Sequence, residues 1–121
     1  MAKIMIVDDA AFMRMMLKDI LSEAGFTKIV EAKNGNEALI LHKVECPEIV
    51  ILDVTMPDID GIDVLFKMKQ FQENTKVIMC SSMGQEDMVT KCFEKGADDF
   101  IMKPFKPERV IQAVSQFSET E

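Results

Sequence analysis

Ile4-Met5-Ile6-Val7 is an unbroken apolar run of strand length, and a run apolar at every position belongs to a strand covered on both faces. Beyond Asp8-Asp9 the period changes. Phe12, Met13, Met16, Leu17, Ile20, Leu21 and Ala24 recur at i, i+1, i+4, i+5 and line one side of a helix, with Arg14, Lys18, Asp19, Ser22 and Glu23 outside. Gly25 is its expected stop. Lys28-Ile29-Val30-Glu31-Ala32 suits a second strand, and Asn34 with Glu37 opens a second helix that must end before Pro47. Ile49-Val50-Ile51-Leu52 is a third strand, stopped by Asp53, and after Pro57 and Gly61 a third helix is marked by Val64, Leu65 and Met68. Val77-Ile78-Met79-Cys80 is a fourth strand, and Met88, Val89, Cys92 and Phe93 stripe a helix closed by Gly96. Phe100-Ile101-Met102 is a short fifth strand, and Val110, Ile111, Val114 and Phe117 stripe the last helix.

Five strands alternating with five helices predict an α/β fold with a parallel sheet covered on both faces. Right-handed crossovers leave few topologies, and a doubly wound five-stranded sheet in the order 2-1-3-4-5 is expected. Ligands of such folds bind at the carboxyl ends of the strands, near the switch in strand order, which strands 1 and 3 would flank. The 121 residues suit one domain spanning 1–121, with no repeat or linker in view.

Composition narrows the partners. A hydrophobic fraction of 48% and a charged fraction of 29% are those of an ordinary globular protein. The net charge of −7 opposes non-specific approach to nucleic acid or an anionic membrane, so neither is expected as a partner. No apolar run approaches the roughly 20 residues of a spanning helix, and the acidic pair after Val7 comes too early for a secretory signal. Cys46, Cys80 and Cys92 are odd in number and set among apolar residues, so they read as reduced, packed thiols of a cytoplasmic protein.

The polar residues that stop the apolar runs carry the chemistry. Strand 1 ends in Asp8-Asp9, strand 3 in Asp53, strand 4 in Ser81-Ser82 and strand 5 in Lys103-Pro104. Each alone has an ordinary explanation: a helix cap, a strand-end turn, a solvated lysine. Together they bring three carboxylates, hydroxyls and an ammonium to one edge of the sheet. Carboxylates in contact resist ionising beside one another. A hard divalent cation relieves the conflict, and oxygen ligands suit magnesium. Magnesium and a lysine around a third carboxylate form a phosphoryl clamp, with Asp53 as nucleophile and Ser81 able to hydrogen-bond the transferred group.

These residues in this order resemble the response-regulator receiver domains of two-component signalling. The marks are Ile6-Val7-Asp8-Asp9, the run from Ile51 to Gly61, Cys80-Ser81-Ser82-Met83-Gly84, the run from Lys95 to Phe100, and Lys103-Pro104-Phe105. Ala10-Ala11-Phe12-Met13-Arg14, Met83-Gly84-Gln85 and the short tail look most like the single-domain chemotaxis members. The family is itself a standard example of the flavodoxin-like (βα)5 order 2-1-3-4-5.

The resemblance implies that Asp53 accepts a phosphoryl group from a sensor histidine kinase of the chemotaxis type or from a small donor such as acetyl phosphate. It implies that Asp9, Asp53 and the Thr55 main-chain carbonyl ligate Mg2+, with Asp8 helping through water. Lys103 would pair with the phosphoryl group, and its bond to Pro104 would be cis. Ser81 and Phe100 would form the switch, remodelling the face made by the fourth helix, fifth strand and fifth helix. The flagellar motor switch protein is the expected target, a phosphatase a further partner, and a monomer the expected state. The chain would promote its own phosphoryl transfer and dephosphorylation without being an enzyme.

Three departures from the family pattern limit what it implies. Phe100 stands where many chemotaxis regulators have tyrosine, and Ser82 where alanine is usual. Thr55 and Met83 occupy positions whose side chains tune water access in the family, so the lifetime of the phosphoryl group is left open. Elsewhere, His42 reads as a solvated surface histidine, the methionines as core filling, and Lys91, Lys95, Lys106 and Arg109 as scattered solvated charges, with a place beside the signalling face as the alternative. The last helix should end near Phe117, and the short tail Ser118-Glu119-Thr120-Glu121 argues against an attached DNA-binding output domain. Thr55 argues against an aspartyl-phosphate phosphatase of the haloacid dehalogenase type, which needs an aspartate there. A flavodoxin phosphate loop would be repelled by Asp8-Asp9.

Overall fold

A computed structural model describes residues 2–118; Met1 and residues 119–121 of the tail lie outside the described residues. Strands and helices alternate as β1 (Ile4–Val7), α1 (Ala11–Glu23), β2 (Ile29–Ala32), α2 (Gly35–Glu45), β3 (Ile49–Asp53), α3 (Gly61–Phe71), β4 (Lys76–Ser81), α4 (Glu86–Glu94), β5 (Asp99–Met102) and α5 (Pro107–Phe117). All strand pairs are parallel and the order is β2-β1-β3-β4-β5, as expected.

Alternate strand residues feed two cores. Ile4, Ile6, Ile49, Ile51, Ile78 and Ile101 pack with Leu17 and Leu21 of α1 and Val110 and Val114 of α5. Met5, Val7, Val50, Leu52, Val77 and Met79 face the other way, against Ala38 of α2, Val64, Leu65 and Met68 of α3, and Cys92 of α4. Each large apolar side chain removed from water in this way contributes about 1.5–3 kcal/mol. Covering on both faces is why the strands lack a polar alternation.

Helix ends follow their local signals. Asn34 accepts a hydrogen bond from the Glu37 N–H at 2.8 Å, and Glu37 accepts one from the Lys33 N–H at 2.8 Å. Helix α2 stops at Cys46, in the left-handed region at φ 49°, immediately before Pro47. Gly25 takes φ +97° just past α1, a conformation that L side chains rarely adopt.

Several surface expectations are corrected. His42 is buried, at 1% exposure. Its Nε2 shares a 2.9 Å hydrogen bond with the Thr75 hydroxyl, and its ring meets Phe71 edge-on. The α2–α3 packing turns that side inward, which periodicity around a polar residue does not reveal. Cys80 and Cys92 are packed thiols, but Cys46 is exposed because it caps α2 at the surface. Phe12, Phe93 and Ala24 point to solvent, so the apolar stripes of α1 and α4 are wider than the faces they bury. Met5, Met68 and Met79 are core residues, whereas Met15, Met83 and Met102 are exposed. Arg14 and Arg109 are held in hydrogen bonds instead of being freely solvated.

Candidate phosphoryl-transfer site

Strand register builds the site. Val7 pairs with Leu52, so Asp8 and Asp53, the next residues of β1 and β3, arrive level at the carboxyl edge. Asp53 pairs with Cys80 across β3–β4, placing Ser81 one step further along. Ser81 pairs with Met102 across β4–β5, and the Lys103 N–H donates to the Ser81 carbonyl at 2.9 Å. The residues read from the sequence as strand-end polar groups therefore converge because three registers agree.

They form a cleft of about 380 Å³ lined by Asp9, Asp53, Thr55, Met56, Pro57, Ser81, Ser82 and Lys103. Lys103 Nζ donates to Asp8 Oδ2 at 2.9 Å and lies 3.3 Å from Asp53 Oδ2. Asp8 and Asp53 are almost fully buried, while Asp9 is exposed. Ligand oxygens of Asp8, Asp9 and Asp53 lie within 4.8 Å of one another. One ammonium thus serves two of the three clustered carboxylates. The set offers oxygen atoms only, the donor chemistry that a hard cation such as magnesium takes. Thr55 is exposed at the rim, and its N–H approaches Asp53 Oδ1 at 3.4 Å.

Electrostatics follow from this crowding. Burial, foremost, and the neighbouring Asp8 charge hold the Asp53 carboxyl above its usual range, against the pull of Lys103. Burial pulls Lys103 down, but its hydrogen bond to Asp8 and the Asp53 charge outweigh that, so its ammonium binds its proton more tightly than usual. Burial pushes the Cys80 thiol far up, and it stays an inert neighbour behind Asp53.

The other expected residues lie around the rim. Ser81 is buried, and its hydroxyl oxygen accepts from the Met83 N–H at 3.0 Å. The Lys103–Pro104 peptide bond is cis. Phe100 is half-buried, with its ring against the core beneath α2, α3 and α4. Its carbonyl accepts from Arg109 Nη2 at 3.0 Å, and the same guanidinium grips Asp99 at 2.8 and 3.2 Å.

Three supports were not legible in the sequence. Arg14 Nη1 donates to the Asp8 carbonyl at 2.7 Å while its Nε reaches Glu31 at 3.1 Å, tying the acidic turn to β2. Gly61 N–H donates to the Val54 carbonyl at 2.7 Å, and a Cβ at Gly61 would meet the Asp53 carbonyl and the Val54 backbone. Asp58 reaches across to the start of α2. Only Gly61 carried a signal, as a lone glycine opening a helix next to a strand end.

Comparison with known proteins agrees with this geometry. Residues 4–115 match the response regulator receiver domain. The chemotaxis protein CheY of Bacillus subtilis is 49% identical over 94% of this chain and 95% of its own length. CheY of Thermotoga maritima is also 49% identical, over 96% of this chain and 97% of its own. Receiver proteins of other pathways match too, including a sporulation initiation phosphotransferase of Bacillus subtilis. Among solved structures, the CheX–CheY–BeF3–Mg2+ complex of Borrelia burgdorferi superposes with a TM-score of 0.92 at 40% identity, covering 98% of this chain and 90% of that one. A fold of this order, an acidic cleft at its switch point and full-length similarity to chemotaxis regulators lead to one assignment: this chain belongs to the response regulator receiver domain family.

Proposed function

We propose that the chain is a single receiver domain that takes a phosphoryl group on Asp53 and switches partner binding in chemotaxis signalling. The observation that carries this reading is Lys103 Nζ held between Asp8 Oδ2 and Asp53 Oδ2 at 2.9 and 3.3 Å, on a buried carboxylate that lines an open cleft.

In the proposed reaction an Asp53 carboxylate oxygen attacks the phosphorus of a kinase's phosphohistidine, or of acetyl phosphate. The new O–P bond forms as the bond to the leaving group breaks; a departing imidazole takes up a proton from solvent. Asp8, Asp9, Asp53 and the Thr55 carbonyl would hold Mg2+, which supplies positive charge to the phosphoryl oxygens when bound. Lys103 follows those oxygens with its ammonium, which costs no reorganisation because Asp8 already orients it. The Ser81 hydroxyl proton is free to donate to a phosphoryl oxygen, since its oxygen is the acceptor for Met83. That shift would draw in the β4–α4 turn and let the Phe100 ring move further toward the core, altering the α4–β5–α5 face. Phe100 has no phenol hydroxyl, so this switch works through ring packing alone.

A chemotaxis histidine kinase as donor, the flagellar motor switch protein as target, a phosphatase, a monomeric state and a cytoplasmic location complete the reading. Among the described residues no helix is long and apolar enough to cross a membrane. Incubation with acetyl phosphate and Mg2+ should add one phosphoryl group to the wild type and none to Asp53→Ala, by intact mass. Equal labelling of both would overturn the assignment of Asp53. Binding to the N-terminal peptide of the flagellar switch protein should tighten with Mg2+ and beryllium fluoride. A protein that responds to beryllium fluoride but ignores the peptide would keep the receiver chemistry and lose the motor.

A further inference from the structure

The β3–α3 loop forms one wall of the acidic cleft through Thr55, Met56 and Pro57. Loops of this kind wander unless their backbone is tied down. The base of this one is closed by the Gly61 N–H on the Val54 carbonyl, and Asp60 spends its side chain on the Ile62 N–H at 2.8 Å, capping α3. The outer end has a different anchor. Asp58 Oδ1 accepts from the Gly35 N–H at 2.9 Å and Oδ2 from the Asn36 N–H at 2.8 Å, so one carboxylate holds two N–H groups more than twenty residues away.

The N-terminus of α2 is built to receive it. Asn34 takes the Glu37 N–H with its side chain and the Ala38 N–H with its carbonyl, which leaves the Gly35 and Asn36 donors to Asp58. Gly35 is buried, and a Cβ there would lie 3.0 Å from Ile59 Cβ, 3.0 Å from Val64 Cγ2 and 3.3 Å from Asp58 Oδ1. The absence of a side chain lets the loop seat against the helix. The charged form of Asp58 is the favoured one: the hydrogen bond from Asn36, above all, holds its carboxyl below the usual range.

We propose that Asp58 is a positioning residue for the metal cleft, latching the loop that carries Thr55 onto the first turn of α2. This rests on the reading of Asp8, Asp9, Asp53 and Thr55 as the magnesium site. Asp58 touches neither metal nor phosphoryl group; it sets where the Thr55 wall stands, as an outer-shell hydrogen bond orients a ligand. It also makes α2 a mechanical neighbour of the cleft, although α2 lends no side chain to it.

The test is magnesium affinity of the full chain, measured by titration calorimetry on Asp58→Ala and Asn34→Ala beside the wild type. Both variants remove a cap from the same helix end, but only Asp58 holds the loop. Asp58→Ala should weaken Mg2+ binding by about tenfold. Asn34→Ala should stay within about twofold of the wild type while melting at a lower temperature, as loss of a cap requires. Equal weakening by both, or no weakening in Asp58→Ala, overturns the latch. If Asp58→Ala does not fold, Asp58→Asn keeps one carbonyl oxygen for one of the two donors and should weaken binding by about threefold; an unchanged affinity there overturns the proposal. A wild type that gives no magnesium binding refutes the metal site itself, a different failure from one confined to Asp58.

Discussion

Replacing Asp53 by asparagine removes one charge and leaves the shape nearly unchanged, so the metal-free stability of that variant reads the electrostatics of the cleft. At an effective dielectric of about 20, two carboxylate oxygens no more than 4.8 Å apart repel by about 3.5 kcal/mol or more. On the same scale, Lys103 Nζ at 3.3 Å attracts Asp53 by about 5 kcal/mol. That attraction is tempered because Lys103 also serves Asp8, and Asp9, being exposed, adds only a screened repulsion. The pair terms nearly cancel, and lost hydration decides the sign, in line with the raised Asp53 carboxyl. A carboxyl raised on folding favours the folded state while protonated, and that advantage is lost as pH rises through its folded pKa. Asparagine has no such loss. Asp53→Asn should therefore be more stable than the wild type in EDTA at pH 7 by about 2 kcal/mol, or roughly 6–8 °C in Tm. The gap should narrow as pH falls and Asp53 regains its proton. Millimolar Mg2+ should raise the wild type, by about 2.7 kcal/mol at one hundred times its Kd. The variant, short of a ligand, should gain less, so the gap closes or reverses. Thermal melts followed by circular dichroism test each part. A metal-free Asp53→Asn that melts at or below the wild type would refute the reasoning, and a wild-type Tm indifferent to Mg2+ would refute the metal site.

Other outcomes are equally specific. Gly61→Ala should destabilise by about 2 kcal/mol or more in urea titrations, because its Cβ would lie 2.7 Å from Val54 Cα and the Val54 carbonyl oxygen. Lys103→Met should slow labelling by acetyl phosphate by about 100-fold while the fold persists, since a preorganised cation is lost from the transition state; a change under threefold would refute its role. His42 is the chain's one histidine, and burial holds it below its ordinary value, so its neutral form belongs to the fold. Its contribution is present above about pH 6.5 and is lost as pH falls below that, because the unfolded chain takes up the proton first. A fall in wild-type stability from pH 7 to 5.5 should thus be smaller in His42→Gln, measured by chemical denaturation in EDTA.

The chain's local patterns determined more than its fold class. Apolar runs marked four strands and a run broken by Glu31 the second; helical stripes marked four helices and a cap signal at Asn34 the second; and the polar residues ending the runs named Asp8, Asp9, Asp53, Ser81 and Lys103. These were legible because a strand buried on both faces shows its whole length as apolar, and its first polar residue marks the ligand-binding edge. The meeting of Asp8 and Asp53 is a matter of register, and parallel register is set by pairing between distant segments. Likewise, only packing decided that His42 goes inward to Thr75 while Phe12 and Cys46 face water. Arg14, Gly61 and Asp58 act through partners that no local spacing identifies: a carbonyl on the preceding loop, the backbone of a strand end, and amides more than twenty residues away. A side chain's own periodicity tells which way it leans on its element. What it meets there depends on how the elements are stacked, and this settled the supports of the cleft that the sequence had only outlined.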